Sequence, residues 1–275
     1  MKLVTFSING RRRIGEVIGD RVNSMAETDT LERLVRRGIT PQRMSENFPL
    51  DKVKLEAPFR PTKIIAIGLN YADHAKETGQ TPPKAPLIFA KFVTSIIGPG
   101  DAISWDTSIT NEVDYEAELG VVIGKKARNV SEEDAMKHVF GYVAANDVSA
   151  RDLQLKIDAQ WTRGKSLDTF CPIGPYLVTK DEVTDPHNLS IKCTVSGEML
   201  QDSNTSNLIF NIPQLISYCS RSFTLEAGDL IVTGTPPGVG VARDPKRFLK
   251  DGDIVTVSVE GLGELTNPVK VTSSN

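Results

Sequence analysis

The sequence predicts an α+β fold dominated by a mixed sheet. Short β-branched apolar runs recur at 63–67, 119–123, 142–145, 176–178, 191–195, 230–233 and 254–259, and helical signals are fewer. Helices also fail to alternate regularly with these runs, which argues against a doubly wound parallel sheet.

From the start of the chain, Asn9-Gly10 between Leu3–Phe6 and Glu16–Ile18 predicts a hairpin turn. Arg11, Arg12 and Arg13 lack the aromatic interleaving of a single-strand nucleic-acid binder and read as a solvated turn. Thr30 to Arg37 predicts a helix, and together these elements suggest a small N-terminal cap domain over residues 1–57. Neither proline of Pro58-Phe59-Arg60-Pro61 can donate a backbone hydrogen bond, so this segment marks the boundary to a main domain over 58–275. Farther on, Ser131 precedes Glu132, Glu133 and Asp134 as a helix cap with acids in the first turn, and Ile212 to Ser220 predicts another helix.

Composition excludes several classes of function. The net charge is −3, and no apolar run approaches the roughly 20 residues of a membrane-spanning helix, so neither nucleic acid nor membrane is an expected partner. The start lacks the basic-then-apolar pattern of a secretory signal. Cys171, Cys193 and Cys219 show no C-x-x-C spacing, which points to a reducing compartment, by default the cytoplasm. Cys171, beside Pro172 in an apolar setting, reads as a buried thiol and not a nucleophile. Motifs of serine hydrolases, zincins and P-loop proteins are absent, and Gly238-Val239-Gly240 is too short for a dinucleotide fingerprint.

The chemistry concentrates in Val113 to Ile123, where Glu116 and Glu118 stand two apart at the mouth of an apolar strand. Period two puts both carboxylates on one face, where they repel unless a cation lies between them. Hard oxygen ligands suit magnesium, manganese or calcium, and Asp147 at the end of another strand completes a facial set. An exposed acidic strand face is the plain alternative. If the chain turns helical after Asp147, Arg151 and Gln154 share one side and can hold a substrate carboxylate and carbonyl; otherwise Arg151 simply pairs with Asp152 or Glu118. His74 and Glu77, three apart on a short helix closed by Gly79, can form an oriented imidazole–carboxylate pair that deprotonates water. Gly79 to Pro86 then reads as a lid. Lys165 can offer charge to an oxyanion, and the 233–240 loop offers hydroxyls and backbone N–H groups to a carboxylate, although a tight turn explains it equally well.

Five segments in order, N-Y-A-D-H-x-x-E at 70–77, E-x-E-L-G-V-V-I-G at 116–124, D-V-S-A-R-D-x-Q at 147–154, G-K-S at 164–166 and T-G-T-P-P-G-V-G at 233–240, resemble the fumarylacetoacetate hydrolase family over about 58–270. The resemblance implies a mixed-sheet sandwich or roll, a homodimer, and Mg2+ or Mn2+ on Glu116, Glu118 and Asp147. It assigns His74 and Glu77 to water activation, and Arg151, Gln154, Lys165 and Thr235 to substrate and developing charge. Asp73 matches an acid near the metal in some relatives. The expected reaction is hydrolytic C–C cleavage of a small 2,4-dioxo acid of the acylpyruvate or fumarylpyruvate type, through an enolate that the ion stabilises. Gln160-Trp161 and the phrasing from Ser166 to Pro172 resemble the branch that includes oxaloacetate tautomerases, so oxaloacetate decarboxylation or tautomerisation is the alternative. A non-catalytic module binding metal and 2-oxo acid is a further alternative.

Overall fold

The computed structural model describes residues 1–25, 30–39 and 42–273. The sheet at its centre runs in the order Arg43–Pro49, Arg21–Met25, Arg11–Ile18, Lys2–Ile8, Cys171–Thr179, Val139–Asn146, Ala117–Ile123, Leu230–Val232, Ile64–Gly68, Leu87–Lys91. Most neighbours are antiparallel, and Leu230–Val232 lies parallel to Ile64–Gly68, so the sheet is mixed. A second sheet, in the order Glu198–Asn204, Ser190–Val195, Ile254–Val259, Gly263–Thr272, Ile103–Asp106, packs against it.

Alternation along the central strands divides the core in two. Leu119, Val121, Ile123, Tyr142 and Ala144 face the second sheet, where Ile191, Cys193, Val255 and Val257 meet them beside the helix Ile212–Ser222. Val122, Val143, Ala145 and Val232 face the other way, toward Leu31, Leu34 and Val35 of the helix Leu31–Arg37 and toward Phe59 and Phe89. The expected cap forms, Ser131 Oγ accepting from Asp134 N–H at 3.2 Å, and the helix expected over Ile212 to Ser220 begins with a capping box of Asn211 and Gln214.

The expected hairpin forms at Asn9 and Gly10, both with positive φ. Arg11, Arg12 and Arg13 are exposed or half-buried but belong to the strand Arg11–Ile18, not to a turn; Arg12 pairs with Glu56 at 2.9 Å and Arg13 with Glu46. The strand Lys2–Ile8 pairs with Cys171–Thr179 in the register Lys2↔Val178 and Leu3↔Leu177, so the sheet runs unbroken from the first 57 residues into the remainder.

Candidate active site

Two antiparallel strands create the acidic cluster. Ala117 lies opposite Asn146, and Asp147 N–H donates to Glu116 O at 2.9 Å, extending the ladder one step past both strands. Directly opposed residues share a face, so Asp147 joins Glu116 and Glu118 on one side of the sheet. The three carboxylates are buried, with one oxygen of each within 4.8 Å of the others. They are the one such group among the described residues.

Cations surround the cluster on two sides. Lys165 Nζ donates to Glu116 Oε2 at 2.6 Å and to Asp147 Oδ2 at 3.0 Å. Lys91 Nζ donates to Asp147 Oδ1 at 2.5 Å and also to Lys165 O. Arg151 Nη2 lies 2.7 Å from Glu116 Oε1. Burial would push Glu116 up, but Lys165 and Arg151 outweigh it and bring the carboxyl down to about 2. Burial, then the like charges of Asp147 and Glu116, hold Glu118 well above the usual carboxylate range. Among the described residues no ion pair reaches Glu118; its contact is Gly234 N–H at 2.8 Å. A buried set of hard oxygens with one uncompensated carboxylate fits a divalent cation such as those of the magnesium and calcium class.

Arg151 begins a helical turn that continues as the π-helix Leu153–Ile157. Its Nη1 donates to Gln154 Oε1 at 2.9 Å, so the two side chains do meet. The partners of Arg151 are Asp114, at 2.9 Å from Nε, and Glu116, and not the Asp152 or Glu118 of the alternative reading. Asp114 continues the period-two acidic series backwards from Glu118, a signal present in the sequence that the reading passed over. Its carboxylate also accepts from the N–H groups of Tyr115, Gly240 and Val241 at 2.9, 2.7 and 3.0 Å, fastening the 238–241 loop to the arginine.

The helix Ala72–Glu77 carries His74, whose Nδ1 lies 3.1 Å from Glu77 Oε2. Glu77 Oε1 accepts from Gly238 N–H at 2.9 Å. Gly238 has φ +102°, and a Cβ there would stand 1.9 Å from Leu200 O, so only glycine fits. Asn70 ties the base of this helix to Thr233 O at 2.8 Å. Asp73 turns away from the cluster, accepting from Ser203 Oγ at 2.7 Å and Asn207 Nδ2 at 3.1 Å. Thr235 is brought in, but its hydroxyl donates to Ala117 O at 3.0 Å and accepts from Gln201 Nε2 at 2.8 Å. Gln201, invisible to motif reading, also accepts Ala117 N–H at 2.9 Å and so holds the acidic strand to this loop.

A cavity of about 530 Å3 joins these groups: His74, Glu77, Glu116, Glu118, Arg151, Gln154, Lys165 and Thr235 all line it, while Asp147 lies behind Lys165. Gln80, from the expected lid segment, also reaches it. Cys171 is buried, its thiol pushed up to about 12, as expected of an inert sulfur. No helix among the described residues is long and apolar enough to cross a membrane.

Comparison with known proteins agrees with this geometry. The family model described as fumarylacetoacetate (FAA) hydrolase C-terminal matches residues 63–270. The mitochondrial oxaloacetate tautomerase fahd2 of Xenopus laevis is 53% identical over 219 residues, covering 79% of this chain and 68% of that one. The structure of the fumarylacetoacetate hydrolase from psychrophilic Exiguobacterium antarcticum superposes with a TM-score of 0.89 at 40% identity, covering 98% of this chain and 99% of the other. That of the maleylpyruvate hydrolase from Sphingobium gives 0.80 at 32% identity, covering 98% and 100%. With this match spanning most of its length, the chain belongs to the fumarylacetoacetate hydrolase family.

Proposed function

We propose that the protein catalyses keto–enol tautomerisation of oxaloacetate, in preference to hydrolytic C–C cleavage. The observation that carries this reading is the 53% identity to an oxaloacetate tautomerase across 79% of the chain. Glu116, Glu118 and Asp147 would hold Mg2+ or Mn2+, whose Lewis acidity makes a 2-oxo group easier to enolise. Arg151 and Gln154 orient the C1 carboxylate, using guanidinium protons not already given to Asp114, Glu116 and Gln154 itself. His74 spends Nδ1 on Glu77 and keeps Nε2 for the proton that leaves and returns at C3. Lys165 Nζ supplies positive charge beside the enolate oxygen. Thr235, its hydroxyl committed to Ala117, keeps the 233–240 loop as the opposite wall. In the exchange a C3–H bond breaks, C2=C3 forms and the 2-oxo oxygen gains a proton; no water is consumed. We also propose a homodimer and a cytoplasmic setting, the latter supported by three buried free thiols.

Hydrolysis of an acylpyruvate is a second reading, supported by the same His74–Glu77 pair and by the likeness to a maleylpyruvate hydrolase. Proton NMR of metal-loaded protein with oxaloacetate and with acetylpyruvate, each beside an EDTA control, separates the two. Accelerated exchange of the oxaloacetate C3 protons with intact acetylpyruvate supports the tautomerase. Metal-dependent release of pyruvate and acetate from acetylpyruvate overturns it in favour of the hydrolase.

A further inference from the structure

The cavity is larger and more apolar than a four-carbon dicarboxylate requires. At about 530 Å3 it falls within the size range of sites that enclose drug-sized ligands. Beside its charged groups, the cavity is lined by the aromatic and aliphatic side chains of Phe89, Trp161, Leu87 and Leu155. Lys165 Nζ sits 5.3 Å from the centroid of the Phe89 ring, so the apolar wall begins next to the reacting end. Phe89 meets Trp161 edge to face, with centroids 5.5 Å apart at 69°. Beyond Trp161 the wall continues through Gly68 and Leu87: a Cβ on Gly68 would stand 2.7 Å from the indole and 3.0 Å from Leu87 Cδ2. Gly68 is thus the bare patch of strand over which the indole lies. Leu155 completes the rim and is 55% exposed.

The charges tell the same story. Among the described lining residues the permanent cations are Arg151 and Lys165, and both already serve the carboxylates Asp114, Glu116 and Asp147. None stands along the Phe89–Trp161–Leu87 wall to receive a second substrate carboxylate. A bulky apolar substituent on C3 of a 2-oxo acid held by Arg151 and Lys165 would extend onto that wall, which offers an aromatic ring edge-to-face partners.

We propose that the protein has a second activity, the tautomerisation of 2-oxo acids carrying an aromatic or bulky apolar group on C3, with the Phe89–Trp161–Gly68–Leu87 wall as the specificity-determining surface. This rests on the tautomerase reading of the same site. In the ketonising direction the enol O–H bond breaks, the C2=C3 π pair takes a proton at C3, and C2=O forms; no oxidant, reductant or water enters. His74 Nε2 delivers the proton as it would for oxaloacetate.

The test follows enol decay of phenylpyruvate and of oxaloacetate by ultraviolet absorbance, on the metal-loaded full chain, beside protein-free and EDTA controls. Wild type should accelerate both. In Trp161→Ala the ratio of kcat/KM for phenylpyruvate over that for oxaloacetate should fall about tenfold, the scale of a lost apolar contact in a specificity pocket. Leu87→Arg, a substitution at a 43% exposed position that tests the wall without opening the core, should lower the same ratio by giving a distal carboxylate a partner. Acceleration of oxaloacetate alone by wild type overturns this inference and leaves the tautomerase reading standing. Acceleration of phenylpyruvate alone supports the wall and overturns oxaloacetate as the substrate, and acceleration of neither overturns both. A ratio unchanged in both variants refutes the wall as the determinant.

Discussion

Asp114→Asn is the perturbation that best separates a structural keystone from an ordinary buried acid. Asp114 is fully buried, and its two oxygens take four donors: Arg151 Nε and the N–H groups of Tyr115, Gly240 and Val241. Asparagine keeps one oxygen and turns an NH2 group toward the rest, so two contacts become donor against donor. Breaking a buried ion pair by removing one charge costs about 3–5 kcal/mol. For a chain of this size that corresponds to a fall in melting temperature of about 6–20 °C. With the amide nitrogen at the Oδ2 position, the guanidinium loses its Nε anchor and the 238–241 loop loses its tie at Val241, so kcat/KM should fall along with stability. Thermal unfolding followed by circular dichroism reads the first effect and the enol assay the second. A variant melting within about 2 °C of wild type would refute the account of Asp114 as the joint between arginine and loop.

Further expectations bear on the site. Glu77→Gln should lower turnover by about two orders of magnitude, the scale of general acid–base assistance, while calorimetric titration finds Mn2+ affinity nearly unchanged; a large loss of affinity would mean that the dyad supports the ion and not the proton. In metal-free protein Glu118→Gln should melt at least as high as wild type, because it removes the carboxylate that burial, Asp147 and Glu116 disfavour as an anion. The same variant should lose the added stability that wild type gains from bound ion, about 2.7 kcal/mol at a hundredfold excess over Kd. For metal-free wild type the fold binds the Glu118 proton more tightly than the unfolded chain does, so this group's contribution falls as pH rises above the ordinary carboxylate range. Glu116, held near 2, contributes in the opposite sense: its share is present above the unfolded pKa and is lost as pH drops toward 2. Native protein should leave Ellman's reagent uncoloured at pH 8, since all three thiols are buried and raised, and should release three equivalents in denaturant; rapid native labelling would contradict the packing around Cys171, Cys193 and Cys219.

Much of this was legible in the sequence because it is local. Period two placed Glu116 and Glu118 on one face, and three-residue helical spacing brought His74 to Glu77 and Arg151 to Gln154. The seven β-branched runs all fall on strands, to within one residue at Lys63 and Thr233, although Tyr176–Val178 proves to be the end of the longer Cys171–Thr179, whose buried prolines and glycine hide it from propensity. What stayed illegible depends on distant pairing. Nothing near Lys165 announces that it bridges Glu116 and Asp147, or that Lys91 braces Asp147 from behind. Gln201 was hidden for the same reason, since its partners lie far along the chain, whereas Asp114 stood in the visible period-two acidic series and only its tie to Gly240 was out of reach. The Arg11–Arg13 run read as a turn because charge outweighed its place beside a hairpin, yet a strand can carry exposed arginines on its solvent side without losing its ladder.

The distance along the chain between cooperating groups has a kinetic consequence. Glu116 and Asp147 meet through one antiparallel pairing, but Gly234, which holds Glu118, arrives 116 residues later in sequence. Long loops must close before such contacts reward the chain, so they form slowly. An intermediate with the Ala117–Ile123 and Val139–Asn146 strands zipped together would own all three carboxylates and still lack the backbone donor and the glycine loop that shape their pocket. Ion capture during refolding should therefore lag behind the appearance of strand signal, making a fluorescent or paramagnetic ion a reporter of the last stage of assembly.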